Sequence, residues 1–161
     1  MLQRVSHQKS YKVAAAGCGY VGLSNAALLS KYNSVTVADI STDRIELLNN
    51  GCSPIADSDL ERFLDQGHSL SATTDLKIAF SDAEFIIIAT PTNYDPQTNF
   101  FDTSSVLSVA TLAIAVNLNA TLVILSTIPV GFTEHLKKQL DYPNILFVPE
   151  FLCEVACCTT I

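Results

Sequence analysis

Between Thr103 and Thr133 the chain carries no charged residue, and Val106–Ile128 alone is long enough to span a bilayer. Such a stretch must end up either in lipid or inside a closed protein core. Ser108, Thr111, Asn117, Asn119, Thr121 and Ser126 interrupt it. Two asparagines near its middle would each need a hydrogen-bond partner in hydrocarbon. The stretch is therefore read as a buried helix from Asp102 to about Asn117, a turn at Leu118–Asn119 and a buried strand, Ala120–Ser126. A central parallel strand is covered on both faces and reads as a continuous apolar run. No membrane partner is expected.

The remaining segments alternate in the same way. Lys12–Ala16 is a short β-prone run, Tyr20–Lys31 an Ala- and Leu-rich helix, and Ser34–Ile40 a β-branched strand. Ser41 suits the cap of a helix through Asn50, with Gly51 as its left-handed stop. Asp57 or Ser58 suits the cap of a second helix through Gln66. Leu70–Thr73 reads as a short strand, Leu76–Phe80 as a helical turn, and Glu84–Ala89 as a fully buried strand. A helix near Thr133–Leu140 and a strand at Asn144–Val148 complete the order. This alternation predicts an α/β fold, a doubly wound parallel sheet. The expected division is an extension over 1–10, one domain over 11–154, and a tail over 155–161 with neither helical period nor cap.

Composition narrows the function classes. The 161 residues are 48% hydrophobic and 16% charged, which suits one domain with a buried core. Nine basic against 16 acidic residues leave a net charge of −7, so a nucleic-acid partner is not expected. Five cysteines without a secretory leader argue against a disulfide framework and for the cytoplasm. His7, His68 and His135 match no metal or triad pattern, and Cys153, Cys157 and Cys158 lack a second ligand pair at zinc spacing. No metal is expected.

Gly17-Cys18-Gly19-Tyr20-Val21-Gly22 is G-x-G-x-x-G, placed where a strand turns into a helix. Gly17 permits the tight turn, Gly19 lets the backbone approach a pyrophosphate, and Gly22 lets the helix pack against the sheet. The helix N-terminus supplies amide donors and the positive end of a dipole. Asp39 closes the next strand, 17 residues after Gly22, where its carboxylate can accept from adenosine ribose hydroxyls. It would repel a 2′-phosphate, so NAD is favoured over NADP. A short-chain reductase would need Tyr with Lys four residues later. No tyrosine here has one, which removes that class.

Further motifs follow in order: Gly19–Ser24 (GYVGLS), Arg44–Ile55 (RIELLNNGCSPI), Ala89–Asp95 (ATPTNYD), Thr98–Val106 (TNFFDTSSV), Ser126–Thr133 (STIPVGFT) and Pro149–Leu152 (PEFL). With these the chain resembles the UDP-glucose 6-dehydrogenase family over about Tyr11–Glu154, specifically its N-terminal Rossmann-type NAD-binding domain. The resemblance implies oxidation of the C6 alcohol of UDP-glucose to a carboxylate with two NAD, through a cysteine-bound thioester. It implies that Gly17, Gly19, Tyr20, Val21 and Gly22 form the pyrophosphate loop and that Asp39 and Arg44 hold the adenosine ribose and its surroundings. Thr92 would approach the cofactor, Thr127 would hold a water near the nicotinamide, and Glu150 and Glu154 would assist water or proton transfer. Phe151, Leu152 and Glu154 would contact the sugar nucleotide. Family members are homodimers. The residues by themselves favour Thr127 and Pro129 as a turn into the next helix and Glu150 as a solvated strand-end acid.

Two departures bear on activity. Leu125 stands where relatives often carry Lys, and no cysteine here has the glycine-rich setting of the family's catalytic thiol. The sequence also leaves the family pattern at Val155. Restoring a single base there would give the family's Gly and, three codons on, force its Leu, so the expectation is a frameshifted, incomplete domain that is inactive alone. The alternatives are a non-catalytic NAD-binding module and a non-functional gene product.

Overall fold

Lys12–Ala16 (β1) can lie at the centre of a sheet because small apolar residues fill both of its faces: Val13, Ala14, Ala15 and Ala16 are all buried. The computed structural model describes residues 9–64, 70–97 and 100–150. From β1 the chain runs through Tyr20–Ser30 (α1), Ser34–Ala38 (β2), Thr42–Asn49 (α2), Ser58–Leu64 (α3), Leu70–Thr73 (β3) and Leu76–Phe80 (α4). It continues through Phe85–Ile88 (β4), Asn93–Asp95 (β5), Phe100–Asp102 (β6), Ser104–Val116 (α5), Thr121–Ile124 (β7), Phe132–Leu140 (α6) and Ile145–Phe147 (β8). Six strands form one parallel sheet in the order β3-β2-β1-β4-β7-β8, with β1 paired to both β2 and β4. The order reverses at β1 and β4. In doubly wound sheets, ligands bind at the carboxyl ends of the strands on either side of that switch.

Two apolar layers sandwich the sheet. On one face Ala14, Ile86, Ile88, Leu122, Ile124 and Ile145 pack with Phe80 of α4, Val106, Ala110 and Ala113 of α5, and Leu136 of α6. On the other, Val13, Ala15, Val35, Val37 and Ile87 pack with Leu23, Ala26 and Ala27 of α1, Leu48 of α2 and Leu60 of α3. Burying one such Leu or Ile side chain contributes about 1.5–3 kcal/mol, so each helix is held chiefly by its apolar stripe.

Element ends follow local chemistry. The Ser41 hydroxyl caps α2 by accepting from the Arg44 amide, and Gly51 just beyond takes the left-handed backbone (φ 75°) expected of a stop. The Asp57 carboxylate accepts from the Asp59 and Leu60 amides at 2.9 and 3.1 Å, so Asp57 rather than Ser58 closes the start of α3. The helix expected from Asp102 begins at Ser104 because Asp102 pairs with Asn93 in the β5–β6 hairpin, which the sequence reading did not foresee. The strand expected over Ala120–Ser126 is Thr121–Ile124, and the one over Ser34–Ile40 stops at Ala38, where Asp39 turns to bond with loop amides. Within the expected extension, the Lys9 ammonium donates to Glu84 at 2.7 Å and lies over the Tyr11 ring. Residues 1–8 and 155–161, and the expected end of α3 at Gln66, lie outside the described residues. Among the described residues no helix is long and apolar enough to cross a membrane, and no His, Cys, Asp and Glu cluster could hold a metal.

Candidate functional site

The carboxyl ends of β1, β2, β4 and β7 meet at two adjoining clefts. The chain leaves β1 through Gly17, whose amide still donates to the Ala38 carbonyl at 2.9 Å. Gly17 has φ +109°, and a Cβ there would come within 2.9 Å of the Ala89 carbonyl carbon, so only glycine fits. Gly22 sits one helical turn into the same contact: a Cβ on it would strike the Gly17 carbonyl and approach the Ala89 Cβ to 3.1 Å. Gly19 differs from both, since a Cβ there would meet no atom within 4 Å. Its surroundings are open space lined by backbone, at the N-terminus of α1.

Asp39 faces this loop. Its Oδ2 accepts from the Cys18 amide at 2.6 Å and its Oδ1 from the Ser41 amide at 2.9 Å. The Cys18 side chain is fully buried, and burial, with the Asp39 charge second, pushes its thiol up to about 11, while Arg44 pulls the other way. That thiol is inert at neutral pH.

The third wall is the turn after β4, Ala89–Thr92. The Ala89 amide donates to Ala16, continuing the β1–β4 ladder. The Ser126 hydroxyl, buried at the end of β7, donates to the Thr90 carbonyl at 2.7 Å. From the other side the Ser105 hydroxyl of α5 donates to the Pro91 carbonyl at 2.7 Å and lies 3.0 Å from the Thr90 hydroxyl. Because Ser105 spends its proton on Pro91, Thr90 must be the donor in that pair.

The larger cleft, of about 600 Å³, lies between Gly17, Gly19, Asp39, Ile40, Ser41 and Arg44 on one side and the Thr90 turn and Ser105 on the other. The smaller, of about 280 Å³, is lined by Gly19, Tyr20, Val21, Thr92, Ser126 and Thr127. The two share Gly19, Ala89, Thr90 and Pro91. The structure thus gathers Gly17, Gly19, Tyr20, Val21, Asp39, Arg44, Thr92 and Thr127 around one bipartite opening, with Gly22 packed beneath it. Glu150 stands apart, in an apolar groove with Leu125 and Val148, where Asn25 lies 3.5 Å from its carboxylate. Leu125, buried with the α1 layer, lines both that groove and the smaller cleft. Phe151, Leu152 and Glu154 lie outside the described residues. Sequence reasoning missed Ser105 and Ser126, and their hydroxyl chemistry was the available clue: serines amid apolar runs must find partners when buried.

A sheet wound both ways about β1 and β4, with a glycine cradle at the switch and a carboxylate closing β2, defines a dinucleotide-binding domain. The cradle fits such a ligand: Gly19 leaves room for two phosphates at a helix N-terminus, with one cleft on each side for a nucleoside. The family described as "UDP-glucose/GDP-mannose dehydrogenase family, NAD binding domain" matches residues 11–159. The chain belongs to that family, as its NAD-binding domain. It is 44% identical over 146 residues to a UDP-glucose 6-dehydrogenase of Campylobacter jejuni, covering 89% of this chain and 37% of that protein. A UDP-glucose 6-dehydrogenase of Streptococcus pneumoniae is also 44% identical, with 89% and 36% covered. The fold superposes on a GDP-mannose dehydrogenase of Pseudomonas aeruginosa, solved as a ternary complex, with a TM-score of 0.76 and 29% identity over 88% of this chain and 36% of that one. This sequence therefore spans little more than a third of the relatives it matches.

Proposed function

We propose that the chain holds NAD as part of a UDP-glucose 6-dehydrogenase, the enzyme that oxidises UDP-glucose to UDP-glucuronate with two NAD. One observation carries the cofactor half of this reading: the Asp39 carboxylate and the Gly17–Gly19 cradle face the same cleft. Asp39 and Arg44 take the adenosine ribose and its surroundings, and the amides at the start of α1 take the pyrophosphate. The smaller cleft takes the nicotinamide, with Thr92 beside it and the Thr127 hydroxyl free to hold a water at its rim. Bound there, NAD supplies the hydride acceptor. The identity of both dehydrogenase relatives supports UDP-glucose as the sugar nucleotide.

The covalent half of the reaction requires a nucleophilic thiol. Cys18 is buried with its thiol held protonated, and Cys52 is exposed on neither cleft. These are the two cysteines among the described residues, and on this reading the 161-residue chain by itself is a cofactor-binding half without turnover. Calorimetric titration with NADH and NADPH tests this reading: NADH binds more tightly, and Asp39→Ala abolishes the preference. Equal affinity for the two in the unsubstituted chain overturns the assignment of Asp39. Sustained UDP-glucose-dependent NADH production by this chain overturns the inactivity.

A further inference from the structure

Asp39 is bonded to more than one part of the opening before any ligand arrives. Its Oδ2 accepts from the Cys18 amide, the middle peptide of the glycine loop, at 2.6 Å. Its Oδ1 accepts at 2.9 Å from the amide of Ser41, which caps α2, and α2 presents Arg44 to the same cleft. Hydrogen bonds to an ionised acceptor are about twice as strong as neutral ones and shorter, and the Cys18 bond is as short as any of them. Each carboxylate oxygen offers two acceptor sites, so one on each oxygen remains for a ribose hydroxyl.

We propose that Asp39 is a positioning residue for the pyrophosphate loop in addition to accepting from the ribose, so that one carboxylate couples the two subsites. The inference rests on the NAD-binding reading above and goes beyond it. It claims that Asp39 governs affinity for a ligand part that it never touches. Without the carboxylate the Cys18 peptide has no partner fixing its plane, and the amides at the start of α1 lose their common aim. Asparagine cannot replace it: one of its two ends is an NH2 group, which leaves either the Cys18 or the Ser41 amide facing a donor, and its oxygen is a neutral acceptor that binds the other amide more weakly than the carboxylate does.

The probe is reduced nicotinamide mononucleotide, which has a phosphate and no adenosine ribose. Electrostatics alone predicts the opposite sign: removing a negative charge beside the loop would tighten an anion. A loop held by Asp39 predicts that both Asp39→Ala and Asp39→Asn weaken the mononucleotide by about fivefold, the value of one lost hydrogen bond. The second readout needs no ligand. In the unsubstituted chain the Cys18 amide proton resonates far downfield and exchanges slowly; in both variants it moves upfield and exchanges faster, while the amides of Ile86 and Leu122 in the sheet core stay put and report an intact fold. The inference stands only if both changes occur. It is overturned by an unmoved Cys18 amide, or by mononucleotide affinity that is unchanged or tighter. If the unsubstituted chain binds neither NADH nor the mononucleotide, the NAD-binding reading falls as well. If it binds NADH and only the mononucleotide result fails, the coupling alone is lost.

Discussion

A methyl group added at Gly22 would press on the Gly17 carbonyl and on the Ala89 side chain, both fixed by sheet hydrogen bonds. A methyl added at Gly19 would meet nothing. The two glycines therefore separate stability from binding. Gly22→Ala is expected to destabilise the fold by about 2 kcal/mol or more, an overpacking cost. Gly19→Ala, at the N-cap of α1, costs at most about 1 kcal/mol yet weakens NADH by about tenfold or more, because the methyl stands in the phosphate space. Urea denaturation and NADH fluorescence titration of the two variants check both halves. Cys18 gives a second test at this scale. Its thiol is raised from 9.0 to about 11, so at pH 8 it resists alkylation in the folded chain, while exposed Cys52 reacts. Peptide mapping after brief iodoacetamide treatment reads this directly, and rapid labelling of Cys18 would contradict the burial. The linkage follows: above pH 9 the unfolded chain releases the Cys18 proton and the folded chain keeps it, so stability falls as pH rises from 9 toward 11.

At the scale of elements, Asn117 explains why the charge-free stretch is a helix and a strand rather than a membrane span. Its side-chain amide donates to the carbonyls of Phe80 and Ala83, both at 2.9 Å, and its Oδ1 accepts from the Asn119 amide. One polar residue thus closes the end of α4, the start of β4 and the turn between α5 and β7. Asn117→Leu makes the stretch more apolar and is expected to destabilise the chain by about 2 kcal/mol in urea, since it removes both side-chain hydrogen bonds and leaves the Ala83 carbonyl without that donor. A gain in stability would sink this account. The parallel strands and their helices were legible because burial on both faces writes continuous apolar runs and because Ser41, Gly51 and Asp57 are explicit boundary residues. The hairpin β5–β6 was not legible. Its three-residue strands are too short to show alternation, and they are held by pairing and by the contact of Tyr94 with Phe101, whose rings lie 4.7 Å apart. In the candidate site, Gly17, Gly19, Gly22 and Asp39 were readable from motif spacing. Ser105 and Ser126 were not, because their partners are backbone carbonyls of a turn distant in sequence. The position of Glu150 depends on β8 lying beyond β7, which spacing alone does not encode.

For the molecule as a whole, the two sides of the sheet are covered unequally. The face carrying Ile86, Ile88, Leu122, Ile124 and Ile145 has α4, α5 and α6 across its width. The opposite face has α1, α2 and α3 gathered over β1, β2 and β3. Among the described residues no helix lies over its β4, β7 and β8 half. What remains there is a groove of about 330 Å³ lined by Leu29, Ile87, Val123, Leu125 and Val148. Leu146 of β8, an edge strand among the described residues, and Val148 just after it continue the groove, with Leu146 52% and Val148 43% exposed. Apolar residues on an unpaired edge strand favour self-association, and neighbouring exposed apolar side chains attract amphiphilic dyes. The native chain is therefore expected to enhance the fluorescence of anilinonaphthalene sulfonate and to elute earlier from size exclusion as concentration rises. Leu146→Glu should lower both effects without altering far-UV circular dichroism, because the side chain projects from the edge and supports no core contact. A native chain that leaves the dye dark and elutes at the monomer position at every concentration would mean that this half of the sheet is covered.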